Sequence, residues 1–197
     1  MMSRNRGFSM LEVLVALVIS LVTLMGAAGL VVRTVQQEVE SLQRLQALTL
    51  IQGMVDKINI NRRVVACYSN GATGITVGKG VTQGNLPSCT MTALVLDGDT
   101  VAISQTERDR ADADIDEWHD LLLGTSEKKG SDNVGAMIDA RGCIVAVNAA
   151  DRLYRVTVAW QGMSDTVEPA SACGDGLYTS DESRRAVSLL VRVGDLT

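Results

Sequence analysis

The chain has 197 residues, 46% of them hydrophobic, 21% charged and 3% aromatic, with a formal net charge of −5. That balance suits one globular domain plus a membrane-seeking segment, with a core built from Val, Leu, Ile and Ala rather than aromatic rings. It excludes a nucleic-acid binder, because phosphate contact needs clustered Lys and Arg, whereas Arg62-Arg63, Lys128-Lys129 and Arg184-Arg185 are scattered pairs that read as solvated surface.

Met1 to Gly7 carries two arginines and no acid, and from Val13 to Val32 the chain has no charge. At 1.5 Å per residue those positions span about 30 Å, the thickness of a bilayer's hydrocarbon core. The arginines ahead of the segment place the N-terminus in the cytoplasm and everything after Arg33 outside the inner membrane. An ordinary secretory signal cut near Gly26-Ala27-Ala28, or a plain single-pass anchor, would share this pattern. Glu12 argues against both. A carboxylate inside an apolar membrane segment costs about 2.5–3.5 kcal/mol at the centre and less near the interface, so it implies a positive partner at similar depth. A cut between Gly7 and Phe8 would create one, the α-amine of Phe8, four residues from Glu12.

Gly7-Phe8-Ser9-Met10-Leu11-Glu12-Val13-Leu14-Val15-Ala16-Leu17 resembles the leader of type IV pilins and type II secretion pseudopilins. The resemblance implies cleavage after Gly7 by a prepilin peptidase and N-methylation of the new Phe8 terminus. It also implies that Glu12 pairs with the terminal amine of a neighbouring subunit during assembly. Such a pair is costly when either charge is buried alone, so it sets register more than it adds stability. On this reading residues 1–7 are the leader and 8–32 the transmembrane, assembly half of a helix. Residues 33–60 are its amphipathic half, and 61–197 a periplasmic head.

Val32, Val35, Val39, Leu42, Leu45, Leu48, Ile51, Val55 and Ile58 continue the helix at a three-four spacing, which predicts that this stripe faces a core. No proline interrupts Phe8 to Ile60, so a single helix of about 80 Å is expected, with Gly26, Gly29 and Gly53 as points of bending. Asn59 to Arg63 breaks the pattern. Residues 69–90 are rich in Gly, Ser, Thr and Asn and read as irregular structure or short strands. Thr92 to Ile103 reads as a hairpin turning at Asp97-Gly98-Asp99.

Asp112, Asp114 and Asp116 superficially suggest a calcium loop, but Glu117 and Leu123 stand where that loop needs Gly and Glu. Ala111, Ile115, Trp118 and Leu122 instead predict a short amphipathic helix, with His119 exposed or capping. Cys143 to Val147, Tyr154 to Trp160 and Val187 to Val193 read as strands, the last two alternating at period two. The expected fold is therefore α+β: a long N-terminal helix packed against an antiparallel sheet head, a pilin-like ladle.

Cys67, Cys89, Cys143 and Cys173 form no C-x-x-C pair, and His119 is the single histidine, so neither a metal nor another cofactor is expected. An even count beyond an export signal implies two disulfides. Three pairings exist; Cys67–Cys89 with Cys143–Cys173 closes the shorter loops. A membrane-anchored periplasmic enzyme is the rival class, and it would have to build its chemistry on His119.

Asp112 to Leu123, Tyr154 to Gly162, Cys173-Gly174-Asp175-Gly176-Leu177-Tyr178 and Arg184-Arg185-Ala186-Val187 resemble the PilV-type minor pilins, the type IV pilus modification proteins. With the leader, this resemblance spans most of the chain except residues 69–105. It implies no enzymatic activity. It implies instead a part in priming pilus assembly, with the prepilin peptidase, other minor pilins, the major pilin and the assembly platform as partners. The implied location is the inner membrane and then the filament, at or near its tip. A type II secretion minor pseudopilin carries nearly the same leader and is the rival within the class.

Overall fold

The computed structural model describes residues 9–70, 74–96, 99–125, 128–130, 132–133 and 137–194. Helix α1 runs without a break from Met10 to Ile60, through Gly26, Gly29 and Gly53. Arg62–Ser69 follows as a 3-10 segment kinked at Val64. The remaining elements in chain order are β1 (Ile75–Gly78), β2 (Ala93–Leu96), β3 (Asp99–Ala102) and α2 (Gln105–Leu123). After them come β4 (Lys128–Lys129), β5 (Asp132–Asn133), β6 (Arg141–Asn148), β7 (Leu153–Gln161) and β8 (Arg184–Arg192). The protein is thus α+β and pilin-like: a long apolar N-terminal helix followed by an antiparallel sheet of order β1-β6-β7-β8. β2 and β3 pair as the expected hairpin, whose turn residues Asp97 and Gly98 lie outside the described residues. The chain separates into two units between Leu42 and Gln43, inside α1.

In the first unit every described residue from Ser9 to Glu38 is exposed.

The second unit has one main core. Ala47, Ile51, Met54 and Ile58 of α1 meet Ala111, Ile115, Trp118 and Leu122 of α2 and the inward residues of β6 and β7. Tyr154, Val156, Val158 and Trp160 of β7 face this core as expected, but Thr157 and Ala159 on the opposite face are buried too, Ala159 in the cluster around Cys143 and Cys173, so β7 is not the half-buried strand that the alternation predicts. α2 starts on a capping box, in which Ser104 Oγ accepts from Glu107 N–H at 3.2 Å while Glu107 Oε2 accepts from Ser104 N–H at 2.9 Å. It stops at Gly124, which takes a left-handed conformation. Trp118 anchors α2 twice. Its indole N–H donates to the Leu50 carbonyl at 3.2 Å, and its ring lies on Gly142 of β6, where an added Cβ would come within 2.5 Å of the ring.

The stripe of α1 that faces this core differs from the expected one. Gln43, Ala47, Ile51, Met54 and Ile58 are buried, whereas Leu42 and Leu45 are 54% and 57% exposed. Apolar residues occupy more than one face of this helix, and packing against α2 and the sheet selects among them.

Candidate processing and assembly site

The start of α1 shows how the sequence builds a helix whose surroundings are apolar. Ser9 precedes the first helical residue, and its Oγ accepts from Glu12 N–H at 3.2 Å, which satisfies one of the free donors of the first turn. The hydroxyls inside the apolar run and just beyond it turn back onto their own helix. Ser20 donates to the Ala16 carbonyl at 2.8 Å, Thr23 to Ser20 at 2.8 Å and Thr34 to Leu30 at 2.9 Å. No donor of these side chains needs water, so the segment can sit in lipid without an unpaired hydroxyl. α1 is long and apolar enough to cross a membrane. Glu12 is the single acid of its first turn and is exposed. Gly7 and Phe8, the expected cleavage and methylation positions, lie outside the described residues, so Glu12 is the described half of the expected ion pair.

In the second unit, Cys67 is bonded to Cys89 with Cα atoms 4.9 Å apart, and Cys143 to Cys173 with Cα atoms 5.8 Å apart. The first bond ties the segment after α1 to the chain before β2. The second fastens the loop between β7 and β8 to β6, over a small apolar cluster with Ala159, Tyr178 and Ala186. Tyr178 also donates to the Asp139 carbonyl at 3.0 Å, and the Arg141 guanidinium lies 4.7 Å from its ring centre.

Arg184 corrects the reading of Arg184-Arg185 as solvated surface. Its side chain is 1% exposed and reaches Asp175 at 3.1 Å, Asp181 at 3.2 Å and Glu168 at 3.5 Å, besides the Cys173 carbonyl at 3.1 Å. These three carboxylates lie close enough together to suggest a cation site. The guanidinium supplies the positive charge at their centre, so the group reads as the clasp of the loop.

A second buried network joins α1 to α2. Asp114 accepts from Tyr68 Oη at 2.6 Å and from Lys57 Nζ at 3.1 Å, and Lys57 also reaches Glu117 at 2.7 Å. Asn61 Nδ2 donates to Tyr68 Oη at 3.2 Å and to the Glu107 carbonyl at 2.9 Å. Burial, reinforced by the Asp114 carboxylate, raises the Tyr68 phenol well above its ordinary value. Burial alone would lower Lys57, but its hydrogen bonds to Glu117 and Asp114 outweigh that, and its pKa is raised. Both groups therefore stay protonated through neutral pH and act as fixed donors.

His119 is 2% exposed, which overturns its expected place as an exposed or capping residue. Its Nδ1 accepts from Gly78 N–H at 3.0 Å, so the ring binds α2 to β1. The bond satisfies a buried backbone donor. Nothing in the local sequence marks it, because Gly78 lies 41 residues away.

Residues 2–28 match the prokaryotic N-terminal methylation motif, the signal of type IV pilin-type proteins. Comparison with curated proteins and with solved structures finds no match. The motif covers the leader, Glu12 and most of the apolar run. It marks structural filament subunits, pilins and pseudopilins alike, whose processing falls to a prepilin peptidase and whose anchoring falls to the inner membrane.

Proposed function

We propose that the chain is a minor pilin that helps to start assembly of a type IV pilus, and through it supports twitching motility and surface attachment. Cleavage after Gly7 and methylation of Phe8 release it for assembly, and Glu12 pairs with the Phe8 amine of a neighbouring subunit. The observation that carries the reading is the methylation motif over residues 2–28, set on a helix whose described apolar residues up to Val35 find no cover within the chain. The resemblance of the segments around Tyr154–Gly162 and Cys173–Tyr178 to PilV-type minor pilins favours the pilus over type II secretion. The head then lies in the periplasm before assembly and at or near the filament tip after it. Other minor pilins, the major pilin and the assembly platform are its partners.

The test is made in cells that produce both systems, with the chain tagged. Mass spectrometry of the chain recovered from sheared pili should show a methylated N-terminus at Phe8, and Gly7→Val should leave the uncut leader in place. Deleting the gene should reduce surface pili. Normal piliation with impaired protein secretion would transfer the chain to the pseudopilins. Normal maturation of the Gly7→Val chain would remove the processing assignment altogether.

A further inference from the structure

The same four-residue pattern stands at the start of both long helices: Ser9-Met10-Leu11-Glu12 at α1 and Ser104-Gln105-Thr106-Glu107 at α2. A serine three residues ahead of a glutamate is the sequence of a capping box. In it the hydroxyl accepts from the glutamate N–H, and the carboxylate reaches back to the serine N–H. At α2 both halves are made. Glu107 Oε2 accepts from Ser104 N–H at 2.9 Å and from Ser104 Oγ at 2.8 Å, while Ser104 Oγ accepts from Glu107 N–H at 3.2 Å.

At α1 one half is made. Ser9 Oγ accepts from Glu12 N–H at 3.2 Å, as its counterpart does at α2. The Ser9 carbonyl accepts from Val13 N–H at 3.3 Å, which opens the helical ladder and puts the serine in register as the cap. Among the described residues, however, the Ser9 N–H donates to nothing and the Glu12 carboxylate accepts from nothing. A free donor and a free charged acceptor therefore stand at the two places that the pattern joins.

The surroundings of the two boxes differ. α2 belongs to the second unit, whereas α1 is long and apolar enough to cross a membrane. Lipid offers no water to satisfy either group, and each is costly when left unpaired. The Phe8 amine assigned to Glu12 above does not exist until the bond after Gly7 is cut. Until then the acid needs a partner in its own chain. Arg4 and Arg6 of the leader belong to the cytoplasmic end. Ser9 is nearer, and its half of the box is already set.

We propose that Ser9 is a positioning residue for Glu12. In the uncut chain in lipid the carboxylate closes onto the Ser9 N–H and hydroxyl, as Glu107 closes onto Ser104. The box satisfies the acid while no amine is present and keeps it at the end of α1 where the ammonium will appear. The cut after Gly7 then releases it to that ammonium, on its own or a neighbouring chain. The closed box asks only that α1 lie in a membrane; its release rests on the processing reading above.

Phe8 is the single phenylalanine of the chain, so the Ser9 amide can be observed by itself. With heavy carbon in the phenylalanine carbonyl and heavy nitrogen in serine, only the Phe8–Ser9 peptide bond carries both labels. The full chain, made in cells without a prepilin peptidase, is placed in nanodiscs of phosphatidylethanolamine and phosphatidylglycerol. Exchange of that amide with water is then measured by NMR. It should be about tenfold slower in the native chain than in Glu12→Ala, the protection expected of a bond to a charged acceptor. The Ser9 N–H precedes the helix and enters no helical bond, so a change in helix fraying does not move it. Glu12→Gln keeps an oxygen in the same place without the charge and should restore part of the protection. The Ser104 amide, compared between native and Glu107→Ala chains, gives the scale of a closed box and shows that the head is folded. After cutting by the peptidase, the difference between native and Glu12→Ala chains should shrink.

Equal exchange in the uncut native and Glu12→Ala chains would overturn the box; the acid would then be held elsewhere, as by Arg6. A Glu12→Gln chain that behaves like Glu12→Ala would also overturn it, since charge alone would explain the slowing. Undiminished protection after the cut would overturn the release alone. A chain that the peptidase leaves uncut would overturn the processing reading and not the box.

Discussion

Leu11, Leu14, Leu21 and Leu24 in the first unit are each more than half exposed, whereas Ile51, Ile58, Ile144 and Val156 in the second are fully shielded. Both units are rich in aliphatic residues, yet only the second covers them from within. Burying a leucine side chain is worth about 1.5–3 kcal/mol, so the first unit leaves a large driving force unspent inside the chain. Lipid would meet that force, and the helix is long and apolar enough to cross a membrane. A long apolar helix with one acid near its start is therefore a part shaped for surroundings that the chain itself does not provide. The second unit owes its order to its own core, two disulfides and two buried polar networks.

The largest expected effect tests the first unit alone. Glu12→Gln should insert in the membrane and lose its leader, yet its amount in sheared filaments should fall on the order of a hundredfold. Leaving one member of a buried pair uncompensated costs about 3–5 kcal/mol. Urea unfolding of the second unit, followed in detergent by tryptophan fluorescence, should not change. A variant that enters filaments at native levels would remove the pairing role.

A matched pair of truncations then sharpens the contrast. Trp118→Ala should destabilise the second unit by about 3–5 kcal/mol, seen as a lower urea midpoint followed by far-ultraviolet circular dichroism, because it opens a cavity over Gly142 and removes the bond to the Leu50 carbonyl. Leu21→Ala should move that midpoint by less than about 0.5 kcal/mol, as expected for a side chain that packs on nothing within the chain. A comparable loss from both would mean that the two units unfold as one.

The smallest effect concerns the cap of α2. Ser104→Ala should cost about 1 kcal/mol at neutral pH. Hydrogen bonds from the Ser104 backbone and side chain hold the Glu107 carboxyl below its ordinary value of 4.5, with Arg63 adding a weaker pull. A carboxyl depressed in the folded state contributes stability that is fully present above that ordinary value and lost as pH falls through the lowered one. Ser104→Ala keeps the backbone bond to the carboxylate and loses the one from the hydroxyl, so its deficit should be largest above pH 5 and narrow in acid. Parallel curves down to pH 3 would show that the hydroxyl's bond to the Glu107 carboxylate adds nothing.

The extent of α1, the position and inner face of α2 and the core-facing residues of β7 could all be read from the chain, though not the cover that also buries Thr157 and Ala159. Each rests on a short-range pattern that one element imposes on its own residues. Ala111, Ile115, Trp118 and Leu122 mark one face of α2 whatever it packs against. The inward face of α1 is different: Leu42 and Leu45 fit a helical stripe as well as Ile51 and Ile58 do, yet Gln43 and Ala47 are the residues inside. Asp114, which the sequence sets in a superficial calcium-loop pattern, is held instead by Tyr68 and Lys57, 46 and 57 residues away. Gly142 had no visible role until Trp118 was laid upon it.

The sequence by itself determined the methylation motif, Glu12 and the apolar helix, because each is a feature of one linear stretch. Only the tertiary structure decided that Arg184 clasps a loop, that His119 meets a buried N–H and that Trp118 lies on Gly142. Each of these depends on which distant groups arrive beside it, and a buried charge, a satisfied donor or a covered glycine exists only once that company is set.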